Sequence, residues 1–281
     1  MIEDLTKNLV ELKNEFAKSY DGKSQIQEVI PKSTSSLFPI AEPHLESLHR
    51  FATKNPIYYN YFEKKIGSVD CVVYEGDINR YWLNSIQHGS SKAPFSPTWI
   101  MSGYVVTLFA KHLGFSEVID IGSGDGRIAF CAKILDMESF SIEIDDVLVD
   151  LQKLLSKTID FHPHCSDAAT FDYNSLNLKH PIFFIGGLAQ MGGNTLAEDV
   201  LQKINSISHL KANSGWVFAG TFSQKYAPDP KNEAGWGSLI EEHNLKSIQT
   251  ISLPTAWTFH ETESTPYIFS QSICKCGHFV R

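Results

Sequence analysis

The segment Asp120-Ile121-Gly122-Ser123-Gly124-Asp125-Gly126 limits what this chain can fold into more than any other. It continues the apolar run Glu117-Val118-Ile119-Asp120-Ile121, read as a short buried strand, and leads into a helix expected near 126–136. Glycine has no Cβ and enters the left-handed region freely, so the chain can turn sharply and a ligand can lie against bare backbone. The helix beyond the turn starts with N–H groups that have no partner inside the helix. Strand, glycine turn and helix in that order predict an open α/β sheet. Its ligand sits at the carboxyl edge, where the strand order reverses.

Two kinds of cofactor use such a turn. A dinucleotide needs G-x-G-x-x-G, with the third glycine packing helix on strand. Here the third glycine, Gly126, comes one residue early, and Arg127 fills the position that must be small. Asp120 ends the strand ahead of the turn. A carboxylate there repels a pyrophosphate and favours a ligand that carries an ammonium group. Glu143 closes the next expected strand, 139–144, roughly 20 residues past the turn, where an acidic side chain can accept both hydroxyls of a ribose.

Beyond the turn, strand and helix signals alternate. Strands are expected at 139–144, 159–164, 181–186, 216–220, 246–253 and 267–274, and helices at 146–157 and 195–208. Ser96-Pro97 reads as an N-cap with proline at the first helical position, for a helix that runs through Trp99, Tyr104 and Phe109 and stops at Gly114. The predicted fold is α/β: a three-layer, Rossmann-like, mostly parallel sheet of seven strands. Only loop residues join the last two strands, so the last is expected to be antiparallel.

The first 90 residues read as a helical extension that caps the acceptor side, divided from a 91–281 domain near Gly89 to Pro97. Ile2, Leu5, Leu9, Leu12 and Phe16 recur at helical spacing, residues 23–42 read as a loop, and 43–54 and 57–65 as two short helices. The net charge of −8 disfavours a large phosphate-binding surface. No apolar run is long enough to span a bilayer, and residues 1–20 lack the apolar core of a signal peptide, so a cytoplasmic chain is expected. Five scattered cysteines predict reduced thiols.

The segment 120–126 resembles motif I of the class I S-adenosylmethionine-dependent methyltransferases, and the strand–helix order over 95–281 is similar to their seven-stranded sheet. The resemblance implies S-adenosylmethionine as cofactor. It implies that Gly122, Ser123, Gly124 and Gly126 line its methionine part with Asp120 nearby, and that Glu143 holds the ribose. It further implies that Ile144, Asp167 and Ala168 meet the adenine, and that Gly186 flanks the site at the end of the fourth strand. Pro94-Phe95-Ser96-Pro97-Thr98 followed by the turn resembles the small archaeal and mitochondrial protein-lysine methyltransferases related to the Dot1 group, which implies that Thr98 lies over the cofactor. First-turn helix capping is an equal reading of Thr98. Many amino methyltransferases of this fold carry Asn/Asp-Pro-Pro-Tyr/Phe after the fourth strand. Here that strand ends Phe183-Phe184-Ile185-Gly186-Gly187-Leu188, which offers no side chain to grip a base amine.

The implied acceptor is a protein side chain, lysine among them, or a small molecule; nucleic acid is disfavoured and no membrane is involved. A non-catalytic binding or scaffold subunit and an RNA methyltransferase are the alternatives. The groups His162, His164, Cys165 and Cys274, Cys276, His278 follow no common zinc spacing, and no metal is expected. Tyr58, Tyr59, Tyr61 and Phe62 read as a packed helix face in preference to the lining of an acceptor pocket, while Tyr226, Trp236, Trp257 and His260 fall in or beside late loops where acceptors are held.

Overall fold

A computed structural model of the chain describes residues 2–82, 95–187, 192–220, 235–255 and 264–273. The first helix, α1 (Ile2–Ser19), buries Leu5, Leu9, Leu12 and Phe16 along one face, as their spacing requires. After it come β1 (Ile26–Pro31), α2 (Glu42–Lys54), β2 (Tyr58–Ile66) and β3 (Val69–Gly76). The three strands form an antiparallel sheet in the order β1-β3-β2. Two expectations are corrected here. Residues 57–65 are not a helix, and the expected loop 23–42 contains a strand. The exposed residues of β2 include Tyr59, Tyr61, Glu63 and Lys65, a period of two rather than 3.6. Gly67-Ser68 joins β2 to β3 with Gly67 at φ +56°, a two-residue hairpin connection that matches strand twist. Asp77 accepts the Asn79 N–H at 2.8 Å and starts a helical turn that carries Tyr81 and Trp82. The expected boundary near Gly89 lies outside the described residues.

The rest of the chain supplies α3 (Ile100–His112), β4 (Glu117–Ile121), α4 (Arg127–Ile134), β5 (Glu138–Glu143), α5 (Asp146–Ser156) and β6 (His162–Cys165). These are followed by β7 (Pro181–Ile185), α6 (Gly193–Asn205), α7 (Ser208–Asn213), β8 (Gly215–Ala219), α8 (Gly237–Glu242), β9 (Leu245–Pro254) and β10 (Ser264–Ser272). Seven of these strands pair in the order β6-β5-β4-β7-β8-β10-β9. The pairs from β6 to β8 are parallel, and β10 runs antiparallel to both β8 and β9. The chain winds outward from β4 to β6, then returns to lay β7 on the other side of β4. The reversal puts the crevice of this Rossmann-like α/β sheet beside β4.

Alternate residues of each central strand feed two apolar clusters. Val118, Ile182, Phe184 and Val217 pack on the side of α3 and α4, while Ile119, Phe183, Ile185, Trp216 and Phe218 pack with α6. Leu5, Val29, Leu48 and Val73 of the N-terminal elements belong to the first cluster, which is continuous with Ile128 and Phe130. The N-terminal sheet is therefore packed onto the helices that flank the glycine turn.

Ser96-Pro97 does not cap α3. The helix begins at Ile100, and its first N–H donates at 2.8 Å to the carboxylate of Glu28, which reaches across from β1. A buried carboxylate serves the positive end of a helix better than a hydroxyl, through both its charge and its hydrogen bond. No described helix is long and apolar enough to cross a membrane.

Candidate functional site

The turn after β4 holds Gly122, Gly124 and Gly126 at φ +63°, +58° and +77°. Gly124 is the tightest position, because a Cβ there would lie 2.6 Å from Cε2 of Phe95. The turn is tied to β5 by the Gly122 and Ser123 N–H groups, which donate to the Ile142 carbonyl at 2.9 and 3.3 Å. It closes on itself through Gly126 N–H to the Ser123 carbonyl at 2.8 Å. From α5, buried Gln152 donates to the Gly124 carbonyl at 2.7 Å and to the Ser123 hydroxyl at 2.9 Å, while its own Oε1 accepts from Ser141. The turn is thus held in shape before any ligand arrives.

Glu143 ends β5 directly beside the turn. Its Oε2 accepts the Gly124 N–H at 2.8 Å, and its Oε1 accepts the N–H groups of Ile144 and Asp145 at 2.9 and 3.0 Å. Burial raises its pKa, and these backbone donors work against that rise. A carboxylate has about four lone-pair sites, so Glu143 keeps acceptor capacity beyond these bonds. Asp145 caps α5 by accepting from Val147 and Leu148.

Asp120 is 2% exposed, and its Oδ2 has no hydrogen-bond partner. Burial, followed by the negative charges of Asp125 and Glu143, pushes its carboxyl well above the usual carboxylate range. A raised native pKa costs stability as pH climbs from the unfolded value of about 4 towards the native one. Asp120→Asn should therefore stabilise the unliganded protein by about 1–3 kcal/mol at neutral pH. Urea unfolding from pH 5 to 8 checks this: the advantage of the variant should grow with pH, and a constant difference is the contrary result.

Around the turn Asp120, Asp125, Glu143 and Glu28 are all buried, and among the described residues Arg127 is the cation buried with them. Arg127 pairs with Asp125 (Nε to Oδ1 2.9 Å, Nη2 to Oδ2 2.6 Å) and with Glu28 (Nη1 to Oε1 2.5 Å). Asn55 donates to Asp125 at 2.9 Å, and the Tyr58 hydroxyl donates to Glu28 at 2.9 Å. In the sequence Arg127 argued only against a dinucleotide, Tyr58 read as part of a helix face, and Glu28, Asn55 and Gln152 carried no signal of their own. The Gly67-Ser68 hairpin signal could have placed Tyr58 on a strand; nothing local marks Glu28 as buried.

The remaining expected residues are distributed as follows. Gly186 directly follows β7 beside the turn, where a Cβ would approach the Gly122 carbonyl to 3.6 Å. Ile144 is half-buried at the start of α5. The Ser166 N–H donates to the Glu143 carbonyl at 2.9 Å, which brings Asp167 and Ala168 to the same edge. Asp167 also accepts the Ala169 N–H, and the Ala168 carbonyl accepts from the Tyr173 hydroxyl. Thr98 reaches the cluster through its carbonyl, which accepts from Arg127, while its hydroxyl lies 3.3 Å from that of Tyr267. Trp236 is buried and donates to the Ala219 carbonyl at 2.8 Å, so it is a core residue rather than part of a loop surface. Tyr58 and Phe62 are half-buried while Tyr59 and Tyr61 are exposed, so the four do not form one packed face. His162 pairs with Glu138 at 2.8 Å, and among the described residues no group of three His, Cys, Asp or Glu is placed to hold a metal. Pro94, Leu188, Tyr226, Trp257, His260, Cys274, Cys276 and His278 lie outside the described residues.

No protein-family model matches the sequence, and comparison with curated proteins finds no match. Among solved structures the chain is similar to an S-adenosylmethionine-dependent methyltransferase from Clostridium acetobutylicum ATCC 824, at 8% identity and TM-score 0.44, covering 61% of this chain and 91% of that one. It is similar to magnesium protoporphyrin IX methyltransferase from Synechocystis PCC 6803 with bound SAM, at 11% identity and TM-score 0.44, covering 70% and 93%. It is also similar to the CcbJ methyltransferase from Streptomyces caelestis, at 12% identity and TM-score 0.46, covering 61% and 95%. At these values the strand order, not the superpositions, carries the fold assignment.

Proposed function

We propose that this chain binds S-adenosylmethionine against the turn 120–126 and transfers its methyl group to an acceptor. One observation carries the proposal: the buried Asp120 carboxyl has an oxygen without a partner, two residues ahead of a turn whose three glycines carry no Cβ. Four buried acids surround the turn with Arg127 as their buried cation, so a cationic ligand would favour the ionised form of Asp120 that burial disfavours. S-adenosylmethionine carries an ammonium and a sulfonium, whereas the pyrophosphate of a dinucleotide would add negative charge.

When bound, the cofactor supplies an electrophilic methyl group on sulfur. Asp120 faces the ammonium group. Glu143 offers its remaining acceptor capacity to the ribose hydroxyls, and Ile144, Asp167 and Ala168 flank the adenine. Gly186 leaves room between the turn and the acceptor side. The protein's task is alignment and exclusion of water, which converts a bimolecular displacement into a positioned one.

The acceptor is a protein side chain, lysine among them, or a small molecule. The acidic net charge and the side-chain-poor end of β7 favour these over nucleic acid. A lysine, with a free pKa of about 10.4, must shed its proton to attack, and a desolvating pocket favours the neutral amine. The test is incubation of the purified chain with methyl-labelled cofactor and cell extract, followed by fractionation. Label in protein or in small metabolites is the expected outcome. Label in RNA overturns the acceptor class, and no transfer from several extracts argues for a binding subunit without catalysis.

A further inference from the structure

Arg127 has five N–H donors, and the structure uses all of them. Nε and one Nη2 donor go to Asp125, the Nη1 pair goes to Glu28 and the Thr98 carbonyl, and the second Nη2 donor goes to the Tyr58 hydroxyl at 3.3 Å. The Phe51 ring covers the guanidinium at 5.6 Å. No donor is left for a ligand phosphate or carboxylate, so Arg127 links parts of the protein rather than gripping a ligand.

The linked parts come from both halves of the chain. Glu28 on β1 holds Arg127 with Oε1 and the first N–H of α3 with Oε2. The segment 95–99 runs into that helix, and its Phe95 ring lies against Gly124. On the other side Arg127 and Asn55 together hold Asp125, which stands between Gly124 and Gly126. One buried carboxylate from the N-terminal sheet therefore fixes both walls around Gly124. Apolar replacement of such a network often costs a fold nothing, so the geometry it imposes is its distinctive contribution.

We infer that Glu28 is a positioning residue for the cofactor site: through Arg127 and Ile100 it sets the glycine turn and the segment that packs on it. The N-terminal sheet is then an integral part of the cofactor site. The inference rests on the proposed cofactor reading for its affinity effect, but not for its effect on the turn itself.

The experiment uses the full chain and four variants: Glu28→Gln, Tyr58→Phe, Asp125→Asn and the double variant Glu28→Gln/Asp125→Asn; Tyr58→Phe removes one hydroxyl and keeps the ring. Hydrogen exchange of the unliganded protein is read at the Gly122, Gly124 and Gly126 amides, and S-adenosylhomocysteine binding is measured well below the melting temperature. Glu28→Gln should speed exchange at the turn selectively and weaken binding about tenfold, and Tyr58→Phe about threefold. Because Glu28 and Asp125 act through one guanidinium, Glu28→Gln combined with Asp125→Asn should bind within about twofold of the weaker single variant. Unchanged exchange at the turn in Glu28→Gln and Tyr58→Phe overturns the inference, as does a double variant whose losses multiply. If Glu28→Gln does not fold, Tyr58→Phe alone decides by the same two readouts. A wild-type chain that binds no cofactor, with exchange at the turn still raised in the variants, overturns the cofactor reading and leaves the positioning role standing.

Discussion

Arg127→Met is expected to lower the unfolding free energy by about 3–5 kcal/mol, the cost of leaving buried carboxylates without their cation. Glu28 and Asp125 are 0% and 1% exposed, so neither can turn to water when the guanidinium is removed. Burial already raises the pKa of Glu28, with Arg127 the foremost opposing influence. Without Arg127, Glu28 should take up a proton on folding, and the variant should lose further stability as pH rises. Urea unfolding at pH 5 and pH 8 checks both points. Adding Glu28→Gln and Asp125→Asn to Arg127→Met should recover part of the loss, because the penalty lies in unpaired charge rather than in lost packing. Arg127→Lys should also destabilise, since a single ammonium cannot reproduce the fork that reaches Asp125, Glu28 and Tyr58 together.

The second large effect is expected from Gly124→Ala. The backbone there sits at φ +58°, and the added methyl would meet the Phe95 ring at 2.6 Å. Left-handed strain and overpacking together should cost about 2–4 kcal/mol. The protein can relieve the contact only by moving residues 95–99 or the turn itself, so cofactor affinity should fall by about a hundredfold. Pairing the change with Phe95→Ala separates the two causes: the steric part should be relieved and the backbone part should persist. Calorimetric titration and thermal melting of both variants check this.

Much of the parallel sheet was legible in the sequence because its strands are apolar runs bounded by turn residues. Val118 to Ile121 and Ile182 to Ile185 are buried on both faces, so they read as strands without further context. The glycine turn was legible because backbone geometry restricts it to few residue types. The N-terminal sheet was not. In β2, Tyr58-Tyr59-Asn60-Tyr61-Phe62 offers aromatics at every spacing, and a register irregularity between Tyr58 and Asn60 breaks the alternation. In β1, Glu28 follows Gln27 in the middle of a segment that reads as a loop. Its partner Arg127 lies 99 residues away, and only the folded chain brings them together. The start of α3 was misjudged for the same reason, since its cap comes from Glu28 rather than from the adjacent Ser96.

The central claim is that the turn 120–126 binds S-adenosylmethionine, and titration of the purified full chain with that compound tests it most directly. The account predicts saturable one-to-one binding, stabilisation by about 2.7 kcal/mol at a hundred times the Kd, and no response to NAD. It also predicts that Gly124→Ala shifts the titration to about a hundredfold higher concentration and that Asp120→Asn weakens it while raising the melting temperature of the unliganded protein. A folded wild-type chain that gives neither heat nor thermal shift at millimolar S-adenosylmethionine, or that responds to NAD instead, would contradict it.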